Sequence, residues 1–149
     1  MKIQLVEIND DNIKEIIKLK VSKDQTQYIA SNEDSLKDAK ENADVARPFA
    51  IYHDDKAVGF AMFAFDEEYE DENDRYWLWR FMIDEKQQGK GIGSSALKAI
   101  IDYFKENGAN NIRLSTKQSN TNALNLYRKA GFKDTGEEID GEIVLQLEL

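Results

Sequence analysis

Apolar residues alternate with polar ones at the start of the chain and then recur at helical spacing, which predicts a strand followed by two helices. Alternation over residues 2–8 favours a strand with Ile3 and Leu5 on one face. The first helix follows the capping residues of segment 9–11 and carries four apolar residues on one face: Ile13, Ile16, Ile17 and Leu19. The second helix begins after Ser31 and presents three residues on its inner side: Leu36, Ala39 and Ala43.

The middle of the chain predicts three strands, with an acid-rich segment before the third. The first two strands lie at residues 49–53 and 57–65. Residues 66–74 contain seven acids in nine positions, a pattern typical of a solvated loop. Residues 76–83 are apolar on both faces apart from Arg80, which indicates a central strand of a sheet.

The last third of the chain predicts two helices and three strands. A glycine cluster precedes a helix with four apolar residues at helical spacing, Leu97, Ile100, Ile101 and Phe104, and Gly108 ends that helix. The remaining elements are a strand at 111–116, a helix at 119–130, a strand that opens at 131–132 and a strand at 143–149 after a hairpin turn at 139–142. The order β-α-α-β-β-β-α-β-α-β-β predicts a single mixed α/β domain over residues 1–149.

Composition narrows the possible functions. The 149 residues carry 29 acids and 20 bases, a net charge of −9 that argues against binding to a nucleic-acid backbone. Cysteine is absent and His53 is the only histidine, so disulfides, a cysteine nucleophile and a metal site rich in cysteine or histidine are not expected. No apolar run approaches the roughly 18 residues of a membrane span, and the start of the chain does not resemble a signal peptide, so we expect a cytoplasmic protein.

The candidate chemistry begins with the glycine-rich segment Gln88–Ser94, which lies between the central strand and the next helix. Glycines allow a ligand to approach the backbone closely, and free N–H groups at a helix start attract anions, so this segment is suited to phosphate. A P-loop would need Gly-Lys-Ser or Gly-Lys-Thr after its glycine, and neither occurs. A dinucleotide-binding fingerprint would need its third glycine one residue later than Gly93.

The pattern that does fit is Gln/Arg-x-x-Gly-x-Gly/Ala, matched by Gln88, Gly91 and Gly93. The segment resembles the acetyl-CoA pyrophosphate loop of the GNAT superfamily of N-acetyltransferases. A second resemblance to that superfamily lies downstream, in Asn120, Ala123, Leu126–Lys129 and Gly131–Phe132. The resemblance implies the GNAT fold, a mixed and mostly antiparallel sheet flanked by helices, and acetyl-CoA as co-substrate.

Within the superfamily, three further segments are similar to bacterial spermine/spermidine (diamine) acetyltransferases. They are residues 28–36, residues 50–52 together with 58–62, and residues 79–84. This similarity implies a polyamine as the acceptor. A homodimer is common among such enzymes.

The resemblance also implies roles for individual residues. Backbone groups of three residues would pair with the pantetheine arm of the cofactor: Phe81, Met82 and Ile83. Backbone N–H groups of the glycine-rich segment would hold the pyrophosphate: Gln88, Gly89, Lys90, Gly91, Ile92, Gly93 and Ser94. Asn120 would meet the pantetheine, and the phenol of Tyr127 would act as general acid toward the leaving thiolate.

The sequence assigns fewer residues to binding and deprotonating the acceptor amine than to binding the cofactor. Some relatives carry a glutamate on the strand before the loop as general base, but residues 77–80 contain no acid. Glu33, Glu85 or an ordered water remain candidates for the base. We expect Glu33 and Arg80 as substrate-binding residues, and segment 66–74 as either the entry surface for a cationic acceptor or a solvated charge run.

Two other functions stay open at this point. An aminoglycoside, an amino acid or a protein N-terminus would serve as acceptor for the same acetyl transfer. A CoA-binding sensor that has kept the fold without turnover is the non-enzymatic alternative.

Overall fold

The chain folds around one sheet of seven strands with helices on both faces, as described for residues 2–149 by a computed structural model. The strands are β1 (Ile3–Glu7), β2 (Ala46–His53), β3 (Lys56–Phe65), β4 (Tyr76–Ile83), β5 (Asn111–Thr116), β6 (Lys133–Ile139) and β7 (Glu142–Glu148). The helices are α1 (Ile13–Lys18), α2 (Asn32–Glu41), α3 (Ile92–Glu106) and α4 (Thr121–Lys129). Short 3₁₀ turns occupy Lys23–Gln25, Glu72–Asp74 and Glu85–Gln87.

The strand order in the sheet is β1-β2-β3-β4-β5-β7-β6. Neighbouring strands are antiparallel except β4 and β5, which run parallel. This arrangement confirms the expected element order, the mixed and mostly antiparallel sheet, and the central place of the strand over residues 76–83.

Two apolar clusters hold the helices to the sheet, one on each face. On the first face, α3 and α4 pack through buried Leu97, Ile100, Phe104 and Leu124 onto residues of β3, β4 and β5. On the second face, α1 and α2 pack through Ile16, Leu36 and Ala39 onto Phe60, Met62 and Met82. The first is the α3/α4 face of the sheet and the second is its α1/α2 face.

The structure differs from the expected pattern at the two N-terminal helices. The first helix ends at Lys18, and Ile17 is 38% exposed although its spacing matched the apolar face. The second helix ends at Glu41, so Ala43 lies beyond it and is exposed. Both expectations were wrong. Helical spacing shows which apolar residues would share a helix face, but it does not show how far the helix runs or whether another element covers each residue.

Among the described residues 2–149, no helix is long and apolar enough to cross a membrane. The same residues contain no group of three or more histidine, cysteine, aspartate or glutamate side chains placed to hold a metal ion.

Candidate active site

The central strands β4 and β5 diverge and leave a wedge-shaped cleft between them. They pair at Trp77 and Arg113, and no further pair joins the two strands within the described part of the chain. Beyond this vertex, residues 78–83 of β4 and residues 114–116 of β5 line opposite sides of a cleft of about 1020 Å³. A cavity of this size is large enough for a cofactor together with a small acceptor.

The open edge of β4 presents backbone groups to the cleft at alternate residues. The Asp84 N–H donates to the Val58 carbonyl at 2.8 Å, which makes Gly59 and Ile83 a non-hydrogen-bonded pair of the antiparallel ladder with β3. By alternation, the N–H and C=O groups of Phe81 and Ile83 point away from β3 and into the cleft, whereas those of Met82 point toward β3. Of the three residues expected to pair with pantetheine, two therefore have backbone groups that face the cleft.

A β-bulge interrupts β4 near the middle of the cleft. The partners of Leu78 and Arg80 are the consecutive residues Phe63 and Met62, so Trp79 has no partner on β3. Because Met62 belongs to the cluster on the α1/α2 face, its partner Arg80 lies on that face, and Trp79 packs against the same cluster. The bulge thus places two consecutive side chains on one face of the strand.

Arg80 has the partner that its position in an apolar strand requires. Its Nη2 lies 3.2 Å from the Asp38 carboxylate of α2, its Nη1 donates to the Trp79 carbonyl, and its guanidinium lies 5.3 Å from the Trp79 ring centre. The Nε atom is buried and has no hydrogen-bond partner in the described part of the chain. Arg80 lines the cleft.

The glycine-rich segment forms the start of α3 with a backbone suited to an anion. Gly89 and Gly91 have φ of 78° and 79°, and a Cβ atom at either would meet nothing within 4 Å. No side chain caps the helix at Gly91, and the N–H groups of residues 89–94 have no hydrogen-bond acceptor among residues 2–149. Free N–H groups at the positive end of a 15-residue helix fit a pyrophosphate.

The side chains of the glycine-rich segment contact other parts of the protein or the solvent. Gln88 Nε2 donates to the Ile83 carbonyl at 2.9 Å, and the Gln88 amide pairs reciprocally with the Gln25 amide. Ile92 is buried in the core, so only its backbone can reach a ligand. Lys90 is exposed, and its Nζ lies 3.4 Å from the Gln87 amide oxygen.

Nine of the residues expected at the site line the cleft: Arg80, Phe81, Met82, Ile83, Gln88, Gly89, Gly93, Asn120 and Tyr127. Five others do not line it: Glu33, Lys90, Gly91, Ile92 and Ser94. The last four of these belong to the loop and first turn of α3 and adjoin the cleft through the backbone. Glu33 is exposed on α2, away from the cleft.

Tyr127 lies on α4 with its ring in the core and its edge at the cleft. The side chain is 8% exposed, and its ring packs edge-on against Phe132 with centroids 5.7 Å apart. Burial raises the pKa of the Tyr127 phenol well above its ordinary value. Its hydroxyl makes no hydrogen bond within residues 2–149, which leaves it free for a molecule in the cleft.

Asn120 stands at the start of α4, on the β5 side of the cleft. Its Nδ2 donates to the Thr116 hydroxyl at 3.0 Å, so the side chain is held against the end of β5. The amide oxygen of Asn120 accepts no hydrogen bond within residues 2–149.

Acidic side chains line the cleft at its vertex and on its β5 side. They come from the acid-rich loop and the last strand: Asp66, Asp74 and Glu142. Asp74 is 3.3 Å from the buried Arg113, whereas the Glu142 carboxylate accepts a hydrogen bond from the Ser115 hydroxyl at 2.8 Å. Arg80 is the only basic side chain among the described residues that line the cleft.

Sequence reasoning missed Glu142, and it named Glu33 and Glu85, which do not line the cleft. Glu142 comes to the site because β7 inserts between β5 and β6 in the sheet, a pairing between distant parts of the chain that local patterns do not reveal. The hairpin turn at Asp140–Gly141 was the available signal, since it fixes where β7 begins.

The segment between α1 and α2 crosses the mouth of the cleft. On one side, the Gln25 amide pairs with Gln88; on the other, the Tyr28 hydroxyl donates to the Ser119 carbonyl at 3.2 Å. Val21 of this segment lines the cleft, as do six consecutive residues: Gln25, Thr26, Gln27, Tyr28, Ile29 and Ala30.

The Acetyltransferase (GNAT) family model matches residues 13–132 of the chain. The chain belongs to the GNAT acetyltransferase family. The expected N-acetyltransferase class is thereby confirmed, together with acetyl-CoA as the co-substrate of a GNAT enzyme, and the free N–H groups at the start of α3 are consistent with that co-substrate.

Known proteins resemble this GNAT chain over its whole length. It is 40% identical over 153 aligned residues, covering 100% of both chains, to the spermine/spermidine N(1)-acetyltransferase of Bacillus subtilis strain 168. Its fold is similar to that of an acetyltransferase from Thermus thermophilus, with a TM-score of 0.77, 18% identity and coverage of 100% and 98%. It is also similar to the PaiA N-acetyltransferase of Thermoplasma acidophilum in complex with coenzyme A, with a TM-score of 0.71, 15% identity and full coverage of both chains.

Proposed function

We propose that this GNAT enzyme transfers an acetyl group from acetyl-CoA to a primary amine of spermidine, spermine or a related polyamine. The observation that carries the proposal is the 40% identity, over the full length of both chains, with an enzyme named spermine/spermidine N(1)-acetyltransferase. The full-length match also supports residues 1–149 acting as one N-acetyltransferase domain.

The charges of the cleft support a cationic acceptor. Asp66 and Asp74 line its vertex end, and Glu142 lines it beside Ser115. The one basic side chain among the described lining residues, Arg80, is paired with Asp38. A polyamine is a flexible cation with several ammonium groups, so it gains from carboxylates contributed by different elements. Trp77 and Trp79 also line the cleft, and indole rings attract alkylammonium groups.

On the cofactor side, the chain offers two sets of backbone groups. The free N–H groups of Gly89–Ser94 and the dipole of α3 would hold the pyrophosphate. The N–H and C=O groups of Phe81 and the N–H group of Ile83 would pair with the pantetheine arm along the open edge of β4, whereas the Ile83 carbonyl already accepts from Gln88. Bound acetyl-CoA supplies the acetyl thioester, and a main-chain N–H of β4 would stabilise the charge that develops on its carbonyl oxygen.

Tyr127 would supply the proton to the leaving thiolate. Burial raises the pKa of its phenol and keeps it protonated through the neutral pH range, and its hydroxyl is free at the cleft. Because the sequence contains no cysteine, we propose direct attack of the amine in a ternary complex rather than through a cysteine acyl-enzyme.

The proposal is tested by the release of free CoA from acetyl-CoA over a panel of amines. The panel contains spermine, spermidine, putrescine, butylamine, an amino acid and an aminoglycoside. We expect kcat/KM for spermine and spermidine to exceed that for butylamine by about 100-fold or more, since additional ionic contacts are available in the cleft.

Two outcomes would contradict the polyamine proposal. Faster turnover of the aminoglycoside or the amino acid would assign a different acceptor to the same chemistry. Tight binding of acetyl-CoA without turnover of any amine would instead indicate a sensor.

A further inference from the structure

Strand β4 of this chain carries no acid, but Glu142 at the start of β7 lies at the cleft with the geometry of a site residue. Its carboxylate lines the cleft, and one oxygen accepts the Ser115 hydroxyl at 2.8 Å. No cation lies within ion-pair distance of it among residues 2–149. A half-buried carboxylate that faces a cavity without a counter-ion is arranged to receive a cation from the cavity.

The hydrogen bond to Ser115 brings the Glu142 carboxylate level with the bulge of β4. Trp77 pairs with Arg113 at the vertex, and two residues further along these parallel strands come Trp79 and Ser115. Ser115 holds Glu142, so the carboxylate stands opposite the bulge, about 7 Å from the vertex at roughly 3.3 Å per residue.

Strand alternation places Glu142 on the face opposite Tyr127. Ile143 packs into the core cluster beneath α3 and α4, so its neighbour Glu142 points to the α1/α2 face. Tyr127 enters the cleft from α4, on the α3/α4 face. A carboxylate and a phenol thus approach the same cleft from opposite faces of the sheet.

We propose that Glu142, oriented by Ser115, binds the reacting ammonium of the acceptor and removes its proton before attack. This inference rests on the proposed amine acetyltransfer and names the general base that replaces the glutamate some relatives carry on β4. The ammonium gives one proton to the Glu142 carboxylate, and the freed nitrogen lone pair forms the N–C bond to the acetyl carbon. The C–S bond breaks, Tyr127 protonates the thiolate and regains a proton from the amide nitrogen, and Glu142 releases its proton to water.

Glu33 and Glu85 are poorer candidates for this role. Both are exposed and neither lines the cleft. Asp74 lines the cleft, but it is paired with Arg113, which also contacts Glu137 at 2.8 Å. The other ionisable groups on the elements around Glu142 are Asp66, Tyr69 and Asp74 of the acid-rich loop, Arg80 of β4, Lys117 after β5, and Glu138 and Asp140 of the last hairpin.

The test compares Glu142→Gln with Glu138→Gln, a matched control on the same hairpin that is exposed and does not line the cleft. The first readout is the pH dependence of kcat/KM. At pH 7, Glu142→Gln should lower kcat/KM by about 100-fold or more, the range for a lost general base. The deficit should shrink as the pH rises toward about 10, where the free amine no longer needs a base.

The second readout is the affinity of CoA-saturated protein for spermidine, measured by calorimetry. Glu142→Gln should weaken binding by about 10-fold, and Glu138→Gln should leave it within about 2-fold, since a tenfold change corresponds to about 1.4 kcal/mol. Ser115→Ala should show a smaller effect in the same direction, because it keeps the carboxylate and removes only its support. Affinity for CoA alone should be unchanged in all three variants.

The outcomes separate this inference from the proposed function. Wild-type turnover of spermidine tests the acceptor, whereas the comparison of variants tests Glu142 and can be made on whichever amine the wild type acetylates. A Glu142→Gln enzyme with the pH profile and acceptor affinity of the wild type would overturn the inference, as would an equal loss in Glu138→Gln. If Glu142→Gln does not fold, the same two measurements on Glu142→Asp test the role of Glu142. A wild-type enzyme that binds no amine would overturn both proposals.

Discussion

At the scale of single residues, burial determines the chemical state of Tyr127. Its ring packs against Phe132 in the core, while its hydroxyl meets the cleft and has no partner within residues 2–149. Because burial raises the pKa of the phenol, the side chain stays neutral at physiological pH and can donate a hydrogen bond. Tyr127 can therefore be both a core residue and a proton donor, because its ring packs in the core while its hydroxyl faces the cleft.

Replacing Tyr127 by Phe tests the hydroxyl without changing the packing of the ring. We expect kcat to fall by about 100-fold to 10,000-fold, the range for a lost general acid, with CoA affinity nearly unchanged. The thermal midpoint should stay near that of the wild type, because the hydroxyl leaves no unsatisfied partner behind. Steady-state kinetics, CoA titration and thermal unfolding measure these three quantities.

The matched control is Tyr103→Phe. The Tyr103 hydroxyl accepts a hydrogen bond from Arg47 at 3.1 Å and does not line the cleft, so turnover should be retained. An unchanged kcat in Tyr127→Phe would remove this residue from the catalytic role.

At the scale of elements, the start of α3 and its end provide a natural comparison. Gly91 precedes the helix with φ of 79°, and Gly108 follows it with φ of 83°. A Cβ atom at either position would meet nothing within 4 Å, so a larger side chain costs backbone strain but no clash. The two glycines differ in what lies around them, because only the first adjoins free N–H groups.

Gly91→Asp should therefore abolish cofactor binding while the protein stays folded. Aspartate tolerates the left-handed backbone better than most residues, and its carboxylate suits a helix N-terminus. That carboxylate would occupy the anion position and repel the pyrophosphate, and we expect CoA affinity to fall by about 100-fold or more. Gly108→Asp adds the same charge and strain at the other end and should leave CoA affinity unchanged. Normal CoA binding in Gly91→Asp, measured by calorimetry, would refute the placement of the pyrophosphate.

Most of the element pattern could be predicted from the sequence, because each strand next to the cleft carries a strong local signal. The strands over residues 76–83 and 111–116 were predicted with the bounds that the structure shows. The glycine-rich segment could be placed for the same reason, since its spacing lies within seven consecutive residues.

What the sequence could not predict depends on pairing between distant segments. The bulge at Trp79 exists only in the register between β3 and β4, and it decides on which face Arg80 lies. Glu142 reaches the cleft through the insertion of β7 beside β5, and Asp38 becomes the partner of Arg80 through the packing of α2. These relations need the three-dimensional fold, and they involve residues on the proposed acceptor side of the cleft.

At the scale of the whole molecule, the net charge of −9 is unevenly distributed. The acid-rich loop of residues 66–74 contributes Asp66 and Asp74 to the vertex end of the cleft, and five further acids of the loop are exposed around it. Lys90 and the free N–H groups at the start of α3 lie at the other end of β4. At the positions proposed for the acceptor and the cofactor the local fields therefore have opposite signs, and the exposed acids extend the negative field beyond the cleft.

Encounter with a cationic acceptor should depend on ionic strength, because a negative field accelerates that encounter and is screened by salt. The screening length is about 10 Å at 0.1 M salt, so the attraction of exposed charges beyond that distance is largely lost. Raising the ionic strength from about 0.02 M to about 0.2 M should lower kcat/KM for spermine by roughly 10-fold, and that for butylamine by less than about 2-fold.

Neutralising Glu67 and Glu68, which are exposed on the loop, should reduce the salt dependence of kcat/KM for spermine. Neutralising Asp102 and Glu106 on the outer side of α3 should leave that salt dependence unchanged. Equal salt dependence for spermine and butylamine would show that the loop acids act only on solubility, because a field that selects polyamines must act more strongly on the acceptor with more charges.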